Sequence, residues 1–307
     1  MPRSVDGRTI RWTQRETTVI ADATLQDRGA QLVRANGIDI AYVEAGDGPP
    51  LVLLHGGFVS TGPAWADSPI AYARHMSALA KHFRVIAPDT RGSGATAHPG
   101  GTVSYSLLAD DLMALVDALG LARPLVAGFS DGAAIATVAA IREPVAFGAL
   151  VAHAGYDIFV PDAPIFEMGR ALFGGSPEAA EGDPDAVATA FASMPPMAEM
   201  LERTKADYDA AQGDGHWREY IRIFFDRATR SPGYTLDDFR SITCPTLILT
   251  GDRDHFCSVE EGVLAYRKLP AGELSILPAT DHVITPAVIE TTIDFLLRHH
   301  TEGSTNR

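Results

Sequence analysis

Pro124-Leu125-Val126-Ala127-Gly128-Phe129-Ser130-Asp131-Gly132, followed by Ala133-Ala134-Ile135-Ala136-Thr137-Val138-Ala139-Ala140, is the stretch from which the fold is read. A short apolar run predicts a strand. A tight turn with glycines at both ends of Gly-Phe-Ser-Asp-Gly follows it, and then a small-residue run that predicts a helix. Strand, turn and helix form the setting that a G-x-S-x-G nucleophile elbow requires. Such a turn strains the serine backbone and lifts its hydroxyl above the sheet edge. Gly128 and Gly132 remove side chains that would collide there, and the helix N-terminus aims its N–H groups at whatever reacts at Ser130.

Outward from the elbow the pattern alternates. Gln31–Arg34 and Ile38–Glu44, split by Asn36-Gly37, predict a hairpin with a two-residue turn. Leu51–Leu54, Arg84–Ala87, Phe147–Ala152, Thr246–Thr250 and Glu273–Leu277 read as further strands. Tyr105–Leu119 is helical, with Ser104 or Ser106 as N-cap and Gly120 at its end, and Pro286–Arg298 is a closing helix with proline in its first turn. Strands apolar on both faces that alternate with helices predict a mostly parallel sheet covered on both sides. From about 155 to 235 the alternation breaks into proline-punctuated helical patches, of which 197–211 and 216–229 are clearest. The chain thus divides into an N-terminal extension (1–30), an α/β core (31–154 and 236–300), an inserted helical cap (155–235) and a C-terminal tail (301–307).

A serine hydroxyl is a weak nucleophile at neutral pH and needs a base, itself oriented by an acid. In the chain order Ser, acid, His that accompanies such an elbow, the strand Thr246–Thr250 leads into Gly251-Asp252-Arg253-Asp254, and the strand Glu273–Leu277 leads to Asp281-His282. Asp254 is the expected acid, with Asp252 as the alternative that fixes the turn. His282 is the expected base, and Asp281 supports its loop. The oxyanion of a tetrahedral intermediate needs preorganised N–H donors. One is the main chain of Asp131. The other belongs to the loop Leu54-His55-Gly56-Gly57-Phe58, at Gly57 or else Phe58, with His55 bonding the loop backbone.

Bulk properties narrow the partners. The chain has 307 residues, 46% hydrophobic, and a formal net charge of −14. Phosphate binding needs a basic footprint, so nucleic acid is not an expected partner, and neither is an anionic membrane. The two cysteines show no metal-ligand spacing, no nucleotide, metal or flavin motif occurs, and no cofactor is expected. The N-terminus builds no apolar signal segment and no run is long enough to span a membrane, so the expected location is cytoplasmic. The expected partner is a small-molecule substrate; oligomeric state is left open.

His55-Gly56-Gly57-Phe58, Asp89-Thr90-Arg91-Gly92-Ser93-Gly94, the elbow, Gly251-Asp252-Arg253-Asp254 and Asp281-His282 together resemble the α/β-hydrolase superfamily from about residue 31 onward. The Ser-Asp-Gly of the elbow is similar to the biphenyl hydrolase-like group that includes valacyclovir hydrolases. This resemblance implies hydrolysis of carboxylic esters, with Asp131 available to pair with a substrate ammonium. Epoxide hydrolases and haloalkane dehalogenases share the fold but place aspartate where this chain has Ser130, so an alkyl-enzyme is not expected.

In this fold a cap sits over the serine. His153, after the next strand, and the cap aromatics Phe159, Phe166 and Trp217 are the expected pocket residues. A carboxylic ester hydrolase is the leading expectation. A carbon–carbon hydrolase or lactonase uses the same residues, a cofactor-free perhydrolase is a third chemistry, and a non-enzymatic receptor on the same fold is the alternative of another class.

Overall fold

The computed structural model describes residues 29–161, 163, 184–193, 195–228 and 232–300. Almost all of the N-terminal extension, the tail 301–307 and part of the expected cap, Phe166 included, lie outside the described residues.

Eight strands form one sheet: β1 (Gln31–Ala35), β2 (Ile38–Ala45), β3 (Pro50–Leu54), β4 (Arg84–Pro88), β5 (Leu125–Phe129), β6 (Ala149–His153), β7 (Thr246–Gly251) and β8 (Gly272–Leu277). Their spatial order is β1-β2-β4-β3-β5-β6-β7-β8. The β1–β2 and β2–β4 pairs are antiparallel, and the remaining pairs are parallel. Asn36 and Gly37 close the first hairpin, both at positive φ (44° and 75°), the backbone a type I′ turn needs. The central strands β5 and β6 are buried at every residue, as strands covered on both faces must be.

Helices α1 (Tyr105–Ala118), α2 (Asp131–Arg142), α6 (Val259–Lys268) and α7 (Pro286–His299) connect and flank the strands. Ser104 caps α1 by accepting the Leu107 N–H, as its place before the helix suggested. Helix α6, by contrast, is not among the elements expected from sequence. Its signal is a capping box, in which Ser258 and Glu261 satisfy each other's backbone N–H groups. A buried Arg91–Asp111 ion pair at 2.6 Å, with Asn36 also bonded to Asp111, ties the Asp89–Gly94 loop and the first hairpin to α1.

Between β6 and β7 the chain inserts α3 (Pro184–Ala192), α4 (Pro195–Gln212) and α5 (His216–Ala228). Their apolar sides form a cluster of their own, with Val187, Phe191, Leu201, Tyr208, Trp217 and Tyr220 buried around Phe58 of the core. The insertion therefore docks on the loop that follows β3.

Candidate active site

Ser130 sits at φ 52° and ψ −121°, a region a non-glycine residue holds only when its surroundings over-determine it, at a cost of roughly 1–3 kcal/mol. The surroundings do so. The Ser130 N–H donates to the His153 carbonyl at 2.8 Å, and the Ser130 carbonyl accepts from Ala133 and Ala134 at the start of α2. The flanking glycines are required by contact. A Cβ on Gly128 would meet the Gly132 carbonyl at 2.4 Å, and one on Gly132 would meet the Leu54 and His55 carbonyls at 2.5 Å. On Gly155 it would meet the Ser130 carbonyl at 2.2 Å. The β3 loop, the elbow and the end of β6 thus meet backbone to backbone.

Beyond β7, Asp254 accepts His282 Nδ1–H through Oδ2 at 2.8 Å, and its other oxygen accepts the N–H groups of Phe256 and Cys257 at 2.9 and 3.0 Å. Burial opposes the Asp254 charge, but His282 and those two N–H groups outweigh it and hold the carboxyl below its ordinary value. Asp252 instead accepts the Thr280 N–H, fixing the turn, and Asp281 accepts the Val283 N–H through its carbonyl. The His282 ring lies between Phe129, at 4.6 Å, and Phe256, at 4.8 Å. The two ring contacts and the bond to Asp254 fix its orientation, and Nε2 makes no hydrogen bond among the described residues.

On the β3 loop, His55 donates from Nδ1 to the Gly56 carbonyl at 2.7 Å and accepts the Thr90 N–H at Nε2, which is the backbone role expected of it. A Cβ on Gly56 would lie 3.4 Å from the Ser130 Cβ, so the loop reaches the elbow. Of the two candidate donors there, Phe58 is corrected. Its N–H donates to the Tyr220 hydroxyl at 2.7 Å and is already engaged. Burial pushes the Tyr220 hydroxyl up to about 12, so it stays protonated.

Four other expectations meet corrections. The Asp131 carboxylate is not free for a substrate ammonium. It is buried, receives Arg227 Nη2 at 2.5 Å and Nε at 3.3 Å, and accepts the Tyr105 hydroxyl at 2.9 Å. Phe159 is packed in the main core, edge-on to Phe239 at 5.0 Å. Trp217 is built into the insertion's own cluster, with Lys205 and Arg218 over its ring at 4.9 and 4.3 Å. His153 is fully buried, its ring 4.8 Å from Phe129, and neither nitrogen has a hydrogen-bond partner among the described residues. Burial, and then the neighbouring His282, push its pKa down to about 3, so it stays neutral.

Two buried groups escaped sequence reasoning. Arg227, at 3% exposure, was not singled out from the sequence. Asp157 is buried close to Asp254; burial pushes its carboxyl up to about 7, against a hydrogen bond to Cys257. Nothing local marks either residue, because the partners are distant in sequence. Among the described residues no cluster of His, Cys, Asp and Glu is arranged to hold a metal, and no helix is long and apolar enough to cross a membrane.

A strained serine at a strand-to-helix turn, followed along the chain by a hydrogen-bonded aspartate and histidine on the loops after β7 and β8, defines a class of fold and site. The alpha/beta hydrolase family model matches residues 51–290, and the chain belongs to that family. A putative non-heme chloroperoxidase of Synechocystis is 27% identical over 255 residues, 80% of this chain and 89% of that protein. A 2-hydroxy-6-oxo-2,4-heptadienoate hydrolase of Pseudomonas putida is 38% identical over 119 residues, 37% of this chain and 40% of that protein. A soluble epoxide hydrolase of Corynebacterium is 39% identical over 101 residues, 33% of this chain and 32% of that protein. Among solved structures, a meta-cleavage product hydrolase from Pseudomonas fluorescens superposes with a TM-score of 0.67 at 20% identity, over 88% of this chain and 98% of that one. A thermophilic esterase from Thermogutta terrifontis does so with a TM-score of 0.66 at 22% identity, over 89% and 100%. At such identities the structural likeness speaks for the fold.

Proposed function

We propose that this member of the family is a serine hydrolase acting on small to medium carboxylic esters through an acyl-enzyme. The observation that carries the reading is the Asp254–His282 hydrogen bond at 2.8 Å, together with a serine held at φ 52° at the N-cap of a helix. Ser130 Oγ attacks the ester carbonyl carbon while His282 Nε2 takes its proton. Asp254 keeps Nδ1 protonated and stabilises the imidazolium. The oxyanion is received by the Gly57 N–H and by the Asp131 N–H, the latter being one of the first N–H groups of α2 that a helix leaves unpaired. As the tetrahedral intermediate collapses, the imidazolium proton passes to the departing alkoxide. Water, deprotonated by His282, then attacks the acyl-enzyme, and the acid leaves with Ser130 restored.

The test is turnover of 4-nitrophenyl acetate by wild type and Ser130→Ala. The expected loss is on the order of 10⁴-fold; an active variant free of contaminating esterase would overturn the assignment. The Pseudomonas putida relative, named a hydrolase of a 2-hydroxy-6-oxo dienoate, favours carbon–carbon cleavage as a second reading. Faster turnover of a vinylogous diketone than of any nitrophenyl ester would select it. Peracid formation from acetate and hydrogen peroxide tests the chemistry suggested by the chloroperoxidase-like relative. The partial epoxide hydrolase match is not carried over, because an alkyl-enzyme needs a carboxylate where Ser130 stands.

A further inference from the structure

Tyr220, Phe224 and Arg227 lie at positions i, i+4 and i+7 of helix α5, and that spacing sets them on one helical face. Each touches one half of the apparatus that would receive an oxyanion. At the N-terminal end of the face, the Tyr220 hydroxyl accepts the Phe58 N–H at 2.7 Å. In the middle, the Phe224 ring lies 4.6 Å from the Phe58 ring, and a Cβ on Gly57 would come within 2.3 Å of it. Near the C-terminal end, the Arg227 guanidinium grips the Asp131 carboxylate at 2.5 Å, with the Tyr105 hydroxyl on the same carboxylate. Gly57 and Asp131 are the two residues assigned the oxyanion N–H donors in the proposed mechanism. One lies on the β3 loop and the other opens α2, 74 residues apart in sequence, and a single helix of the insertion bridges them.

The neighbouring helix α4 reinforces one side. Thr204 donates to the Phe58 carbonyl at 3.0 Å, Tyr208 donates to the Val59 carbonyl at 3.1 Å, and Asp207 accepts the Ser60 hydroxyl. Three consecutive loop residues, Phe58 to Ser60, are thus held by the insertion. A left-handed φ of 64° at Phe58 is the conformation this grip maintains against its intrinsic cost.

We propose that α5 is a clamp that sets the geometry of the oxyanion hole, with Tyr220 and Arg227 as positioning residues for the Gly57 and Asp131 N–H groups. This rests on the serine hydrolase reading. Neither side chain is required to touch substrate. Tyr220 acts through the loop that carries Gly57, and Arg227 acts through the side chain of the residue that supplies the other donor. An oxyanion hole acts on the transition state and only weakly on the bound ester. Loosening the clamp is therefore expected to lower kcat and leave KM nearly unchanged, whereas a pocket residue would alter KM.

The experiment compares Tyr220→Phe, Arg227→Lys and Thr204→Val with wild type and Ser130→Ala. The substrate is whichever of 4-nitrophenyl acetate and the vinylogous diketone turns over. Affinity for an aryl trifluoromethyl ketone, which forms a hemiketal oxyanion on Ser130, is measured in parallel, with a thermal melt for each protein. Misplacement of a reacting group by about 1 Å costs roughly 10²-fold, and a kcat loss of about that size is expected for Tyr220→Phe. Ketone affinity should fall by a matching factor, with KM preserved. Arg227→Lys, which keeps the charge but not the two-pronged grip, should show a smaller loss of the same kind. Arg227→Lys, on the same helix, decides the matter if Tyr220→Phe melts below the assay temperature, and Thr204→Val reports the separate contribution of α4. Folded variants with wild-type kcat and ketone affinity, or with the loss confined to KM, would overturn the clamp while Ser130→Ala is inactive. Turnover by Ser130→Ala would instead overturn the serine reading beneath it.

Discussion

At the scale of the residue, Asp252 and Asp254 lie two positions apart and do different work. Asp254 meets His282 and two backbone N–H groups, whereas Asp252 meets the Thr280 N–H. Asp254→Asn is therefore expected to lower kcat by about 10⁴-fold, because an amide facing Nδ1 favours the wrong tautomer. Asp252→Asn keeps an oxygen that accepts from Thr280 and should retain most activity. Steady-state kinetics of the two purified variants decide this, and a dead Asp252 variant beside an active Asp254 variant would reverse the assignment. Sequence position favoured Asp254 but kept Asp252 as the alternative, since both follow the same strand. What separates them is how the turn after Gly251 folds, and that turn is shaped by the Thr280 carbonyl, 2.0 Å from where a Gly251 Cβ would stand.

At the scale of the element, the strands, the elbow, α1 and the closing helix α7 were legible because each carries its signal locally: an apolar run, a glycine pair, a capping serine, a proline in the first turn. The hairpin at Asn36-Gly37 and the strained turn at Ser130 were readable for the same reason. The insertion was legible as helices but not in its facing. Trp217 and Phe159 read as pocket aromatics, yet both are packed on all sides, Trp217 within the insertion and Phe159 in the main core. Composition counts large apolar groups without saying which way they turn. Asp131 read as free because its partner, Arg227, is 96 residues away. Trp217→Ala is accordingly expected to destabilise by about 3–5 kcal/mol, the range for deleting a large buried aromatic. The order of preference across an ester series should not change. Urea unfolding and relative kcat/KM values test the two halves of that statement; an altered order at unchanged stability would restore Trp217 to the pocket.

At the scale of the whole molecule, two buried titratable groups near His282 give stability opposite pH slopes. Native His153 stays neutral down to about pH 3, while the unfolded histidine takes a proton near 6.5, so its contribution is present above 6.5 and lost as pH falls toward 3. Native Asp157 keeps its proton up to about pH 7, while the unfolded carboxyl loses it near 3.8, so its contribution is present below 3.8 and lost as pH rises toward 7. Over the shared window the two oppose each other. Asp157→Asn should leave a stability that climbs from pH 4 to 6.5, and His153→Leu one that declines over the same range. Urea midpoints across that range test this, and parallel curves for the two variants would contradict it. The central claim concerns Ser130, and covalent labelling by a fluorophosphonate, mapped by peptide mass on the folded protein, tests it most directly. The expected result is one adduct, on the peptide's Ser130, absent from Ser130→Ala and formed far more slowly in His282→Ala. No adduct on the active wild-type protein, or an adduct that persists in Ser130→Ala, would contradict the claim.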